Sequence, residues 1–285
     1  MIVTCNPDAE FFSRIEKVRS QVARIALIDN GSSNACVSSL RELANSLGVY
    51  LVLNHSNLGV ARALNQGGEW AAEHGFRWML TLDQDSIIAP DMVDSLVDVY
   101  QAYPESNNLA VIGSNYTNSV SGKPGAEYQE REGPYAKDVK TVITSGSLVS
   151  MSAFQAIGGF REEFFVDCVD LEYCLRARAK GFRVVMSCKP LMQHSIGSLT
   201  EHCLPWEKTG TSNHSPWRQY FMTRNTLILA REYLSREPGW VLSTAWSRTK
   251  SMLLICLFEE ERLQKVAYSL RGALDGLRGK MSRSA

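Results

Sequence analysis

Trp78-Met79-Leu80-Thr81-Leu82-Asp83-Gln84-Asp85 is an apolar run that stops on two carboxylates one residue apart. A run of this length, bounded by polar residues, reads as a buried strand, and the carboxylates fall at its carboxyl end. Two carboxylates at i and i+2 can reach a common cation, and their hard oxygens suit Mg²⁺ or Mn²⁺ bridging a diphosphate. The same pair could equally serve an ordinary turn. Working back from it, the apolar run 49–53 ends at Asn54, the run 25–28 ends at Asp29-Asn30-Gly31-Ser32, and the opening run 1–5 ends at Asn6. Between these lie helical spacings over residues 10–22, 35–47 and 60–74. Strand, helix, strand at this rhythm predicts an α/β fold whose central sheet is mostly parallel, with right-handed crossovers. Ligands bind such sheets beyond the carboxyl strand ends, so Asn6, Asp29, Asn54 and Asp83 face one crevice.

Composition narrows the classes further. The 285 residues are 45% hydrophobic, enough for a sizeable core and incompatible with a disordered or fibrous chain. No apolar run approaches the length of a membrane span; the longest, 252–258, has seven residues. Seven cysteines without a C-x-x-C pair favour a reducing, cytoplasmic compartment. The zero formal net charge divides into −10 over residues 1–175 and +10 over residues 176–285. Basic surface of that kind serves nucleic acid, anionic lipid or a phosphorylated substrate. The opening strand is short, which is the reading expected of a start codon lying upstream.

Further along, residues 114–140 read as a long polar excursion, a lid or acceptor wall. Apolar character returns at Val142 and Ile143 before Thr144-Ser145-Gly146-Ser147. A helix is expected over 169–180, a strand over 182–186, an irregular stretch from His194 to about Ser215, and three helices over 217–233, 239–258 and 259–279. The expected division is therefore an α/β body, 1–215, and a helical region, 216–285.

The motifs Val3-Thr4-Cys5-Asn6-Pro7, Ile28-Asp29-Asn30-Gly31-Ser32, Asn57-Leu58-Gly59 with Asn65, and Leu82-Asp83-Gln84-Asp85 follow one another in the order and spacing of the family 2 inverting glycosyltransferases. The resemblance continues through Gly158-Gly159-Phe160-Arg161-Glu162-Glu163, then Val169-Asp170-Leu171-Glu172-Tyr173, and ends with His194-Ser195-Ile196-Gly197. It covers roughly residues 1–235. Within the family, the Val-Asp-x-Glu-Tyr wording, His-Ser-Ile-Gly and Arg224-Asn225 look most like bacterial rhamnosyltransferases of surface-polysaccharide assembly.

This resemblance implies a GT-A fold, a nucleotide-diphosphate-sugar donor such as dTDP-rhamnose, a divalent Mg²⁺ or Mn²⁺, and inversion at the anomeric carbon. It implies metal ligation by Asp83, Asp85 and His194, and a general base at Asp170. Donor binding falls to Thr4, Asn6, Asp29, Asn30, Gly31, Asn57, Gly59, Asn65 and Asp83. The acceptor is a saccharide, lipid-linked in polysaccharide assembly, which places the enzyme in the cytoplasm or on the inner face of the membrane; nucleic acid is not expected as a partner. Bottom-up chemistry agrees: breaking the C1–phosphate bond leaves anionic charge for a cation to neutralise, and the acceptor hydroxyl must lose a proton. Simpler readings stand beside each role. Asp170 could complement a helix dipole, Asp29 could belong to a turn capped by Ser32 or Ser33, Asn57 could cap a helix, and a loop His is commonly a bystander. The sequence departs from the family in its short first strand and in Val169, where an acidic residue usually precedes the base.

Three further features complete the reading. Arg176 and Arg178 could approach a diphosphate but sit about 200° apart on a helix. His202, Cys203 and His214 fit no zinc spacing. Leu263, Val266, Ala267, Leu270, Ala273, Leu274, Leu277 and Met281 recur at helical spacing amid basic residues, a stripe suited to an anionic membrane surface, to docking on the catalytic body, or to a homodimer seam. Rival functions are transfer from another UDP- or GDP-sugar, a D-x-D phosphohydrolase, and a non-catalytic saccharide-binding scaffold.

Overall fold

The computed structural model describes residues 1–119, 122–125, 136–194, 200–203 and 208–281. They form two compact units, residues 1–162 with 169–194, and residues 163–168 with 195–285. The sequence expectation drew its line at 215; the compact units divide after residue 194.

The first unit begins β1 (Ile2–Thr4), α1 (Phe11–Arg19), β2 (Ala26–Asn30), α2 (Asn34–Leu47), β3 (Tyr50–Asn54), α3 (Val60–Glu73) and β4 (Trp78–Asp83). It continues β5 (Ile87–Ile88), α4 (Met92–Ala102), β6 (Leu109–Asn118), β7 (Ala136–Asp138), β8 (Ser147–Ser150), α5 (Met151–Ile157), α6 (Val169–Ala179) and β9 (Arg183–His194). The sheet order is β3-β2-β1-β4-β8-β6-β9-β5, with β7 pairing β9. The expected parallel pairing holds across β3, β2, β1 and β4, and β6 pairs β9 in parallel, while β8 enters antiparallel to both neighbours. Apolar side chains of α1, α2 and α4 cover this sheet and enclose its core. The helix limits follow local chemistry. The Ser33 hydroxyl accepts the Cys36 N–H at the start of α2, and Gly48 closes it with a left-handed φ of 63°.

Register aligns the functional ends. Thr4 stands opposite Asp29, Asn30 opposite Asn54, and Val3 opposite Asp83, so the carboxyl ends of four neighbouring strands form one row.

Two sequence readings change here. The polar excursion expected from residue 114 is, as far as Asn118, a continuation of β6. Ser114 and Asn115 are buried because their polar groups are satisfied: the Asn115 N–H donates to Ser187 Oγ and its side-chain amide to the Cys188 carbonyl. The strand expected to end at 186 likewise runs on to His194, paired with β6 through Asn115–Pro190 and Asn118–His194. His194 therefore ends a strand instead of sitting in a loop. Residues 136–138 of the excursion form β7, and residues 120–121 and 126–135 lie outside the described residues.

The second unit holds an antiparallel hairpin, β10 (Thr200–Cys203) and β11 (Lys208–Thr211), within the stretch read as irregular, followed by α7 (Pro216–Tyr233), α8 (Pro238–Phe258) and α9 (Arg262–Arg278). Ser215 caps α7 through the Arg218 N–H, and Pro216 occupies the first turn, where its missing N–H costs nothing. Helices α7 and α9 approach closely because Gly272 and Gly276 lack side chains; a Cβ at 272 would lie 2.3 Å from the Tyr220 carbonyl oxygen. Gly272→Val is therefore expected to destabilise this unit by about 3 kcal/mol through overpacking against backbone, whereas Ala267→Val on the exposed face should change little. Urea denaturation of both variants checks this.

Candidate functional site

The row of strand ends carries most of the residues singled out above. Asp83 is the last residue of β4, and its backbone N–H donates to Ser145 Oγ at 3.1 Å. One ligand atom from each of Asp83, Asp85 and His194 lies within 4.8 Å of the others. Asp85 is exposed, so no packing demand explains its place there. Two carboxylate oxygens and an imidazole nitrogen at this separation fit one divalent cation of the Mg²⁺ or Mn²⁺ class. His194 has a defined outer partner: its Nδ1 is 3.4 Å from Ser86 Oγ, which is 2.6 Å from Ser145 Oγ. That contact leaves Nε2 available for a cation. The Tyr116 ring meets the imidazole edge-on, with 5.8 Å between centroids.

Asp170 is reached through the loop that holds Ser145. Its Oδ2 accepts the Thr144 N–H at 3.3 Å, and its Oδ1 accepts the Leu171 N–H at 2.8 Å in the first turn of α6. The Thr144 carbonyl in turn accepts the Thr81 hydroxyl at 2.6 Å, and the Gly146 N–H donates to the Thr81 carbonyl at 2.8 Å. Residues 144–146 thus tie β4 and its Asp83 to the carboxylate of Asp170. Gly146 is required at this hub, with φ 75° and room for no Cβ, which would lie 2.6 Å from the Met192 sulfur.

Beyond β1 and β2 the polar residues are bonded to one another. Asp29 is fully buried and accepts from the Thr4 hydroxyl at 3.1 Å, the Ser32 N–H at 3.0 Å and the Ser32 hydroxyl. Its oxygens shape the turn that follows β2. Asn6 joins that turn, its N–H donating to Ser32 Oγ and its Oδ1 accepting the Ser33 N–H. Asn30 donates to Asn57 Oδ1 at 2.9 Å and accepts from the Leu58 N–H and from Asn54, which is also paired with Gln66. Asn57 Oδ1 takes the Gly59 N–H as well, a turn two residues long that leads into α3, whose N-cap is Gly59 with no side-chain cap; Asn57 therefore does not cap the helix. Gly31, at φ 91°, leaves the only space for the Asn57 backbone, since a Cβ there would lie 2.7 Å from Asn57 N. Asn65 is turned elsewhere, holding Phe160 through both its backbone groups and reaching Glu162 at 3.1 Å.

The sequence reading names Ser145, Glu172, Arg176, Arg224 and Asn225 without the roles they take here, and it leaves Ser86 unnamed. Ser86 holds His194 and Ser145 holds the Asp83 backbone, and nothing in hydrophobic periodicity marks them. Glu172, wholly buried, receives two hydrogen bonds from Arg176 at 2.8 and 2.9 Å and a contact from Arg161 at 3.6 Å. Arg176 also donates to the carbonyls of Ile157, Gly158 and Gly159, so it clamps the Gly158-Gly159-Phe160 turn and is not directed at a diphosphate. In the second unit, Arg224 donates to the Glu163 carbonyl, and the Asn225 amide donates to those of Phe164, Val166 and Asp167. These bonds hold residues 165, 167 and 168 at positive φ immediately before α6 begins in the chain. His202 is hydrogen-bonded to Thr211 and stacked on Phe258, and burial pushes His214 down to about 4, so both are accounted for without zinc. Ser195-Ile196-Gly197 lies outside the described residues. An apolar cavity of about 360 Å³ lined by Trp70, Phe76, Trp78 and Tyr100 contains none of the strand-end residues, and it touches the amino ends of β2 and β4, away from where such sheets bind ligands.

Residues 1–158, more than half of the chain, match the family described as glycosyl transferase family 2. The chain is 26% identical to the dTDP-rhamnosyl transferase RfbF of Shigella flexneri across 98% of its own length and 95% of that protein's. Among solved structures it is similar to S. aureus TarS 1-349, with a TM-score of 0.62 at 13% identity over 98% of this chain and 80% of that one. It is also similar to the mannosyltransferase PcManGT of Pyrobaculum calidifontis in complex with GDP-Man and Mn²⁺, with a TM-score of 0.57 at 14% identity over 98% and 86% of the two chains. Both likenesses show a shared fold, the GT-A arrangement of a large α/β sheet followed here by carboxyl-terminal helices.

Proposed function

The chain belongs to glycosyl transferase family 2, and we propose that it transfers L-rhamnose from dTDP-rhamnose, with inversion, to a lipid-linked saccharide of cell-surface polysaccharide assembly. The observation that carries this reading is the convergence of Asp83, Asp85 and His194 on one point, with Asp170 joined to them through residues 144–146. Asp83, Asp85 and His194 would hold a divalent cation, which would supply neutralising charge at the diphosphate. Asp170 takes the proton of the attacking hydroxyl on the opposite face of the anomeric carbon, its carboxylate fixed by the two N–H groups it accepts. The turn held by Asp29, with Thr4, Asn6, Asn30, Gly31, Asn57 and Gly59, forms the wall against which the nucleoside sits. Asn65 serves that wall at one remove, by clamping Phe160. Catalysis is assigned to residues 1–215 and attachment to the helices from 216 onward.

Rhamnose is favoured by the match to a dTDP-rhamnosyl transferase over nearly the full length of both chains. Transfer from a UDP- or GDP-sugar is the second reading, favoured by the GDP-Man complex of the mannosyltransferase neighbour. Mn²⁺ in that complex and the mixed oxygen and nitrogen donor set here support a divalent ion. A thermal-shift screen of dTDP, UDP and GDP, each with Mg²⁺ or Mn²⁺, separates the donors. At a hundredfold excess over Kd the preferred nucleotide stabilises the protein by about 2.7 kcal/mol. The expected result is the largest shift with dTDP and release of dTDP from dTDP-rhamnose. A larger shift with UDP or GDP moves the donor assignment, release of inorganic phosphate indicates a phosphohydrolase, and no nucleotide response indicates a scaffold.

A further inference from the structure

Helix α9 is packed with its polar side inward. It buries Lys265, Ser269, Gly272, Asp275 and Gly276. Gly272 and Gly276 set the close approach to α7; Asp275 accepts the Tyr220 hydroxyl at 2.8 Å, and Lys265 is paired with buried Glu259 at 2.8 Å. On the opposite side Leu263, Leu270, Leu274 and Leu277 all stand exposed, Leu263 by 82%. Their positions at 100° per residue fall within about 60° of arc, a narrow continuous stripe. Helix α8 repeats the pattern, with Leu242, Trp246, Leu253 and Leu257 exposed within a similar arc and Trp246 at 72%. Soluble helices bury leucine and expose charge. Here close packing through glycine with leucine turned outward is the arrangement helices adopt in contact with lipid.

Charge identifies the occupant. Every exposed ionic side chain within α8 and α9 is basic, namely Lys250, Arg262, Arg271 and Arg278; in the turns flanking α9 Lys280 is exposed, as are Glu260 and Glu261, so the surface keeps a basic excess. Asp275, the sole acid within either helix, is buried. Leucine and tryptophan flanked by arginine and lysine match the boundary of an anionic bilayer, where indole sits at headgroup level.

We infer that the outward faces of α8 and α9 form the surface by which this protein rests on an anionic membrane, with Trp246 and the leucines entering the headgroup boundary. This deepens the proposed reading of a lipid-linked acceptor, yet the binding itself requires neither donor nor acceptor.

Flotation of the full chain with phosphatidylcholine vesicles, with and without phosphatidylglycerol, tests it. The chain is expected to float with the anionic vesicles at low salt, to be released as salt rises, and to show blue-shifted tryptophan emission that Trp246→Phe removes. Arg271→Gln combined with Arg278→Gln should weaken partitioning about 25-fold, about fivefold for each charge. Leu270→Gln with Leu274→Gln should weaken it at least as much, with unchanged melting because both positions are exposed. Failure of the wild-type chain to float with anionic vesicles at low salt overturns the inference. So does a stripe variant that floats like wild type, or a dimer in sedimentation velocity that the stripe variants dissociate without altering flotation. Because no sugar nucleotide is present, a negative donor screen leaves this outcome untouched, and a negative flotation leaves the donor assignment untouched.

Discussion

Asp170→Asn is expected to lower the rate of sugar transfer by about 10²- to 10⁴-fold while donor affinity changes little. The amide has nearly the shape of the carboxylate and can still accept one of the two N–H bonds now made by Leu171 and Thr144. It cannot accept a proton at neutral pH. If Asp170 only complemented the amino end of α6, its loss would cost about 0.3–1 kcal/mol of stability and leave turnover near normal. The two roles therefore separate cleanly. Initial rates of nucleotide release over a range of donor and acceptor concentrations distinguish them: the base role predicts a fall in kcat with donor KM preserved. A loss confined to donor KM would remove Asp170 from proton transfer and make it a support for the 144–146 loop.

The sheet around this carboxylate was legible wherever an apolar run ended on a polar residue. Strands β2, β3 and β4 stop at Asn30, Asn54 and Asp83, and α2, expected over 35–47, forms at Asn34–Leu47. Periodicity works there because one face is buried and the other wet. It gives no signal for the far half of β6 and β9, where Ser114, Asn115 and Ser187 are buried by virtue of bonds to partners more than thirty residues distant in the chain. His194 was recognised by motif, but its strand and its Ser86 contact belong to that concealed region. Glu172 and Arg176 were equally opaque. A buried ion pair and a surface pair four residues apart on a helix look the same in sequence, and only the fold shows that this one fastens Gly158 and Gly159. The stripe of α9 was visible as a periodicity, yet the side facing inward depends on how closely another helix can approach. Two glycines decided that in favour of the polar side.

Asp85→Ala is the substitution expected to do the greatest damage to turnover with the least damage to the fold. Asp85 is exposed, and removing a surface carboxylate ordinarily changes stability by no more than about 0.5 kcal/mol. The same change removes one of the three groups whose ligand atoms lie within 4.8 Å of one another, leaving Asp83 and His194 as an incomplete set. A leaving diphosphate without compensating charge should cost about 10³-fold in rate, the order seen when one preorganised electrostatic contact is deleted from a transition state. Metal binding can be read without any turnover, by titrating Mn²⁺ and following the free ion by electron paramagnetic resonance. Wild type should deplete the free signal and Asp85→Ala should not. Ser86→Ala, which removes only the hydroxyl beside His194 Nδ1, should weaken Mn²⁺ about 10- to 100-fold, placing it between the two. Undiminished Mn²⁺ affinity in Asp85→Ala would show that these three residues are not the cation site, and the explanation for an exposed aspartate at the end of β4 would return to the geometry of its turn.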